Sequence, residues 1–75
     1  GVIVIGRTVA DAWHKLYFLE RACESQVLAQ STGSPLRLTT EDVARHTARQ
    51  WNATSEAAAP ALFAAVRRQL DRAQP

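Results

Sequence analysis

The chain opens with an uninterrupted apolar run, Val-Ile-Val-Ile at residues 2–5, between Gly1 and Gly6. The run lacks the alternation of apolar and polar positions that marks a half-exposed strand, so both of its faces call for apolar neighbours. Each backbone N–H and C=O of a strand also needs a ladder partner. The pattern therefore predicts a buried β-strand over residues 2–5. No partner strand is visible in these 75 residues, and without one the segment would fray, become helical or pair with another copy.

A helix is predicted directly after this run, over about residues 9–31. Thr8 and Asp11 have the spacing of a capping box, in which the hydroxyl and the carboxylate bond backbone N–H groups at the helix start. The segment Ser-Thr-Gly-Ser-Pro at 31–35 ends the helix. Tyr17 and Phe18 widen its apolar surface, so we expect the helix to pack on two sides. The apolar positions follow a three-and-four spacing: Val9, Ala12, Trp13, Leu16, Leu19, Cys23 and Val27, with Gln30 the polar exception.

Two further helices are predicted in the second half, over about residues 40–51 and 57–72. Thr39 or Thr40 caps the first of these helices. The stretch Asn-Ala-Thr-Ser at 52–55 is expected to separate it from the next helix. Pro60 then falls in the first turns of the last helix, where its missing N–H costs little. The fold class expected for the chain is therefore mainly α with one N-terminal β-strand.

Composition narrows the possible functions. The net charge is +2, and the nine basic residues are interspersed with seven acidic ones, so no basic patch points to nucleic acid. No apolar run approaches the length of a membrane span. The single cysteine, Cys23, excludes an intrachain disulfide and suits a reduced compartment. We therefore expect a cytoplasmic protein that binds neither nucleic acid nor membrane.

The residues that could carry chemistry do not form a recognisable constellation. His14 and Glu20 are six positions apart, or about 240° around a helix, so they do not share a face, and we expect His14 to be a surface or interface side chain. Cys23 lies on the predicted apolar face and is expected to be a buried structural thiol. His46 is expected in solvent, and a phosphate site at the Thr8 helix start has only weak support. No catalytic, cofactor-binding or metal-binding residue is assigned.

Three stretches of the chain resemble the class II aldolase/adducin family. They are the strand-turn-helix start GVIVIGRTVADA at 1–12, the run YFLERACESQ at 17–26, and the closing segment AAVRRQLDR at 64–72. The resemblance makes residues 1–75 a C-terminal fragment of a class II aldolase-like domain, after the last metal-ligand histidine. It implies an α/β/α sandwich in the parent protein, to which the strand at 2–5 would belong.

The resemblance also implies a function for the parent protein. Active members use Zn²⁺ or another divalent metal as a Lewis acid in aldol cleavage, or in related lyase or epimerase chemistry on sugar phosphates or similar small molecules. They commonly form homo-oligomers, often tetramers. His14 and His46 match no ligand position, so this chain alone is expected to bind no metal and to be inactive. The alternative is a non-catalytic, adducin-like or helical module that acts through protein–protein contact.

Overall fold

The structure, a computed structural model, describes residues 1–73 and consists of two α-helices. Helix α1 spans Val9–Ser31 and helix α2 spans Glu41–Ala73. Trp13, near the start of α1, contacts Phe63 in the second half of α2. Phe18, further along α1, contacts Trp51 in the first half of α2. The two helices therefore run antiparallel as a hairpin.

The first helix begins and ends where the sequence predicts. The Thr8 hydroxyl accepts a hydrogen bond from the Asp11 backbone N–H at 3.0 Å, and Asp11 in turn accepts one from the Arg7 N–H at 3.1 Å. These two bonds satisfy backbone donors that a helix start leaves without partners. At the other end the chain turns at Gly33, whose φ of +76° suits a residue without a Cβ.

The predicted strand and the sandwich are wrong for this chain. Residues 2–5 form no strand, and none is present among residues 1–73. A strand exists only when its backbone groups bond those of a neighbour, and this apolar run meets no second extended segment to pair with. It stays in solvent instead, with Ile3 91% exposed. The fold class is therefore an α-helical hairpin rather than α with one strand.

The predicted break at residues 52–55 is also wrong, because α2 continues through it as one helix of 33 residues. The stripe that faces α1 explains this continuity: its members recur every three or four positions across the expected break and are buried or half-buried. Thr54 is a poor helix former, but its hydroxyl donates to the Gln50 carbonyl at 3.0 Å. The hydroxyl is therefore paired inside the helix. The stripe consists of Trp51, Ser55, Ala59, Leu62, Phe63 and Val66.

Packing is confined to one half of the hairpin. Ala59, 1% exposed, is the buried apolar residue at its centre, whereas every residue from 18 to 50 is exposed. The cause lies on α1: two and three turns beyond His14, Arg21 and Ser25 occupy the side that faces α2. Polar side chains there provide nothing to bury, so the helices have a packed end and an open end.

Candidate functional site

Six aromatic or imidazole rings join the two helices at the packed end. His14 lies 4.9 Å from Phe18 and 4.8 Å from Trp51, measured between ring centroids. Trp13 stacks on Tyr17 at 5.3 Å and meets Phe63 of α2 at 6.1 Å. These separations are those of favourable offset and edge-to-face ring pairs. We call this group the aromatic cluster: Trp13, His14, Tyr17, Phe18, Trp51 and Phe63.

His14 is the buried polar residue of this cluster. It is 4% exposed, and its Nδ1 atom has no hydrogen-bond partner. His14 is expected at the surface or at an interface; it is buried where α1 meets α2, so the surface alternative is wrong. The sequence did contain a signal, since Ala10, His14 and Tyr17 share one side of the helix with flanking Trp13. An imidazole between two aromatic rings has no proton donor or acceptor to work with, so the geometry makes His14 a packing residue.

A cleft of about 290 Å³ lies where the start of α1 approaches the middle of α2. Arg7 faces Glu56 across it with 3.8 Å between guanidinium nitrogen and carboxylate oxygen. Both side chains are largely in solvent, where an ion pair contributes at most about 1 kcal/mol. The lining consists of Arg7, Thr8, Asp11, Glu56, Ala59 and Pro60.

The electrostatics of this cleft do not suit a phosphate. Asp11 already places its carboxylate against the Arg7 N–H, and this hydrogen bond is the main reason why the pKa of Asp11 lies below its ordinary value of 3.8. Lys15 adds to the effect, with its ammonium 3.4 Å from the same carboxylate. The positive end of the α1 dipole is thus occupied by an internal anion, and Glu56 adds a second negative charge. The weak indication of a phosphate site at Thr8 gains no support.

The other candidate residues are dispersed. Cys23 is exposed, so the expectation of a buried thiol is wrong, and His46 is exposed, as expected. Glu24 pairs with Arg21 on its own helix at 3.6 Å. Among the 73 described residues, no three histidine, cysteine, aspartate or glutamate side chains come together as metal ligands. The structure therefore does not gather the chemistry-bearing side chains into one site.

Cys23 is exposed because it lies on the side of α1 that faces away from α2. It is nine positions from His14, which is about 180° around the helix. Four aliphatic residues share that side, and all of them are exposed. We call this second apolar face the aliphatic stripe: Val9, Leu16, Leu19, Cys23 and Val27. The prediction that α1 packs on two sides is wrong for this chain: one side packs on α2, and the second side, although apolar, is exposed.

Both helices are long, but length alone does not make a membrane span. Neither helix of the described chain combines enough length with enough apolar character to cross a membrane.

Comparison with known proteins gives one informative similarity. No protein-family profile matches the chain, and no solved structure matches it. A protein of Caulobacter vibrioides named "Putative aldolase class 2 protein" is 48% identical over 33 residues. The aligned part is 44% of this chain and 13% of that protein. Part of the chain is therefore similar to part of that protein, whose name agrees with the family resemblance of the motifs. The adducin branch and the C-terminal placement stay predictions.

Proposed function

We propose that this chain is a helical part of a longer, metal-dependent class II aldolase-like protein. The observation that carries the proposal is the 48% identity over 33 residues to the Caulobacter protein named "Putative aldolase class 2 protein", of which those residues are only 13%. The same 33 residues are 44% of this chain, so the relative is more than three times as long. The GRT turn into α1 and the LERAC run along it agree with this proposal, because both stretches resemble the same family.

In this proposal, residues outside the chain supply the metal ligands and the groups that touch substrate. The described residues do not fit a metal centre, since no cluster of three candidate ligands forms. The exposed aliphatic stripe fits a segment that packs on more protein. The metal of such a parent would polarise substrate oxygens as a Lewis acid, with sugar phosphates or similar small molecules as the substrate class.

The first test is the intact mass of the protein purified from its natural source, compared with the 8.2 kDa of this sequence. We expect about 25 kDa or more, the size of a complete domain of the relative's length. Bound zinc near one per chain by elemental analysis, and cleavage of a sugar phosphate, would support the lyase. A natural protein with only the mass of this sequence would overturn the proposal.

Single substitutions in that natural protein test the division of roles. His46→Gln, Cys23→Ser and Glu24→Gln each remove a potential metal ligand that is exposed in the hairpin. We expect metal content and activity to stay unchanged in all three variants, because the proposal places every metal ligand outside this chain. Loss of the metal in any of them would contradict the proposal that this segment contributes no ligand.

A further inference from the structure

The exposed area of the hairpin is too large for a self-contained protein of its mass. The accessible surface is 6579 Å². A compact monomer of 8.2 kDa exposes about 4,500 Å² by the general scaling of area with mass. The excess of about 2,000 Å² falls within the share that each partner contributes to an obligate interface. The chain therefore has the surface of a component rather than of a complete fold.

Part of the exposed surface is apolar and continuous. The aliphatic stripe extends along α1 on the side opposite α2, and at its start Val9 lies beside the apolar run of residues 2–5. Val4, Ile5, Val9 and Ala12 line one shallow groove that connects the two. Lys15 fixes this arrangement by donating to the Ile5 carbonyl at 3.2 Å. The run and the stripe thus face outward together.

We propose that the aliphatic stripe and the apolar run at residues 2–5 dock onto the remainder of the same polypeptide. This inference rests on the proposed function, because it takes its occupant from the longer parent. A parent of the relative's length contains far more protein than the hairpin, enough to cover about 2,000 Å². Helix α1 then becomes the middle layer, with α2 on its aromatic side and the rest of the protein on its aliphatic side.

A second copy of the chain fits this surface less well. Glu20 and Glu24 lie along the same flank of the aliphatic stripe. In an antiparallel two-fold pair of helices, each flank faces the same flank of the partner, so these carboxylates would face one another. Like charges in such positions are destabilising. The remainder of the parent carries no such constraint.

Cys23 lies at the centre of the stripe and reports directly on whether it is covered. The experiment treats the natural protein with N-ethylmaleimide, with and without urea, and follows the Cys23 peptide by mass spectrometry. We expect labelling about tenfold slower or more without urea, since a covered thiol reacts only when the structure opens locally. Labelling that is equally fast in both conditions, in a protein longer than this chain, would overturn this inference and leave the proposed function intact.

Two other outcomes are separable. Protection that disappears on dilution together with a fall in oligomer mass would make a second copy the occupant and overturn the inference. A natural protein no heavier than this sequence would overturn the proposed function and this inference with it. Protection that is independent of concentration supports docking within one polypeptide.

Adjacent residues, about 100° apart around α1, provide a matched control. Val27 and Leu28 are 64% and 62% exposed in the hairpin, but only Val27 lies on the stripe. In the natural protein, Val27→Glu should lower the melting temperature by about 5 °C or more, because it buries a charge. Leu28→Glu should change it little. Equal effects would contradict the inference, and Val27→Ala gives a milder version if Val27→Glu does not fold.

Discussion

The imidazole of His14 stacks on the indole of Trp51 with 4.8 Å between ring centroids and 29° between ring planes. This pair joins the second turn of α1 to α2 near the boundary between the packed and open ends of the hairpin. Phe18 completes the contact, with its ring centroid 5.1 Å from that of the indole and an edge-on approach. The stability of the hairpin should therefore depend strongly on these three rings.

Replacing Trp51 by alanine should lower the free energy of unfolding by about 2–4 kcal/mol, somewhat less than for a fully buried tryptophan. The variant loses ring contacts with both His14 and Phe18. Urea denaturation followed by circular dichroism in the far ultraviolet measures the change. Trp51→Phe keeps an aromatic ring and should lose less than half as much; equal losses in the two variants would count against the stacking argument.

Replacing His14 by phenylalanine should leave the stability unchanged or raise it by about 1 kcal/mol, because the ring is kept and an unsatisfied polar atom is removed. That atom is Nδ1, which has no hydrogen-bond partner. His14→Ala, by contrast, should destabilise the hairpin because it leaves a cavity between aromatic rings. A phenylalanine variant that is as unstable as the alanine variant would show that the imidazole has a polar role.

Asp11 should make the start of α1 sensitive to acid. Its pKa is lowered in the folded chain, chiefly by the hydrogen bond from the Arg7 N–H. A lowered pKa stabilises the fold above the ordinary value of 3.8, and the stabilisation is lost as the pH falls through the folded value. The stability difference between the wild type and Asp11→Asn should therefore shrink below about pH 4. Asp71→Asn, at the far end of α2, is the control; a difference that stays constant with pH would contradict the argument.

Pro60 should weaken α2. It lies inside the helix, where it has no N–H to donate to the Glu56 carbonyl. Because the residue is exposed, Pro60→Ala should raise the free energy of unfolding by up to about 3 kcal/mol. Thermal denaturation measures the gain, and Gln69→Ala, also exposed on α2, should give less than about 0.5 kcal/mol. No gain at Pro60 would mean that the helix is relaxed around it.

Gly6 should not tolerate a side chain. A Cβ there would lie 2.5 Å from the Ala12 backbone nitrogen and 2.8 Å from the Asp11 carboxylate. We expect Gly6→Ala to displace residues 2–5 from α1 and cost about 1–3 kcal/mol. Gly1→Ala, which meets nothing within 4 Å, should have no effect. Comparing the melting temperatures of the two variants tests this close approach.

Local signals in the sequence were enough to predict α1 but not the packing of the chain. Thr8 and Asp11 fix a helix start through bonds within four residues, so the pattern alone locates it. The run at 2–5 was misjudged because strand formation depends on a partner that a local pattern cannot supply. Residues 52–55 were misjudged because the low helix propensity of Asn52, Thr54 and Ser55, about a few tenths of a kcal/mol each, is outweighed by burial of the α2 stripe.

The candidate site was also predictable only in part. The number of apolar faces on α1 is visible in the sequence, but which face meets α2 is not. The rings of His14 and Phe18 contact those of α2, so Cys23, on the other side of α1, faces solvent. Its spacing with Leu19 and Val27 is nevertheless that of a buried stripe. The side that a helix buries is decided by its neighbours, and these are known only from the structure.

The polar side of α1 beyond Phe18 has a consequence for the dynamics of the chain. Because residues 19–50 are all exposed, their backbone amides should exchange with deuterium through small local openings, far more readily than those around Ala59. Unfolding of this chain is then a sequence of steps, in which the loop end fluctuates while the aromatic end holds. A partner that covers α1 would slow the exchange along its whole length.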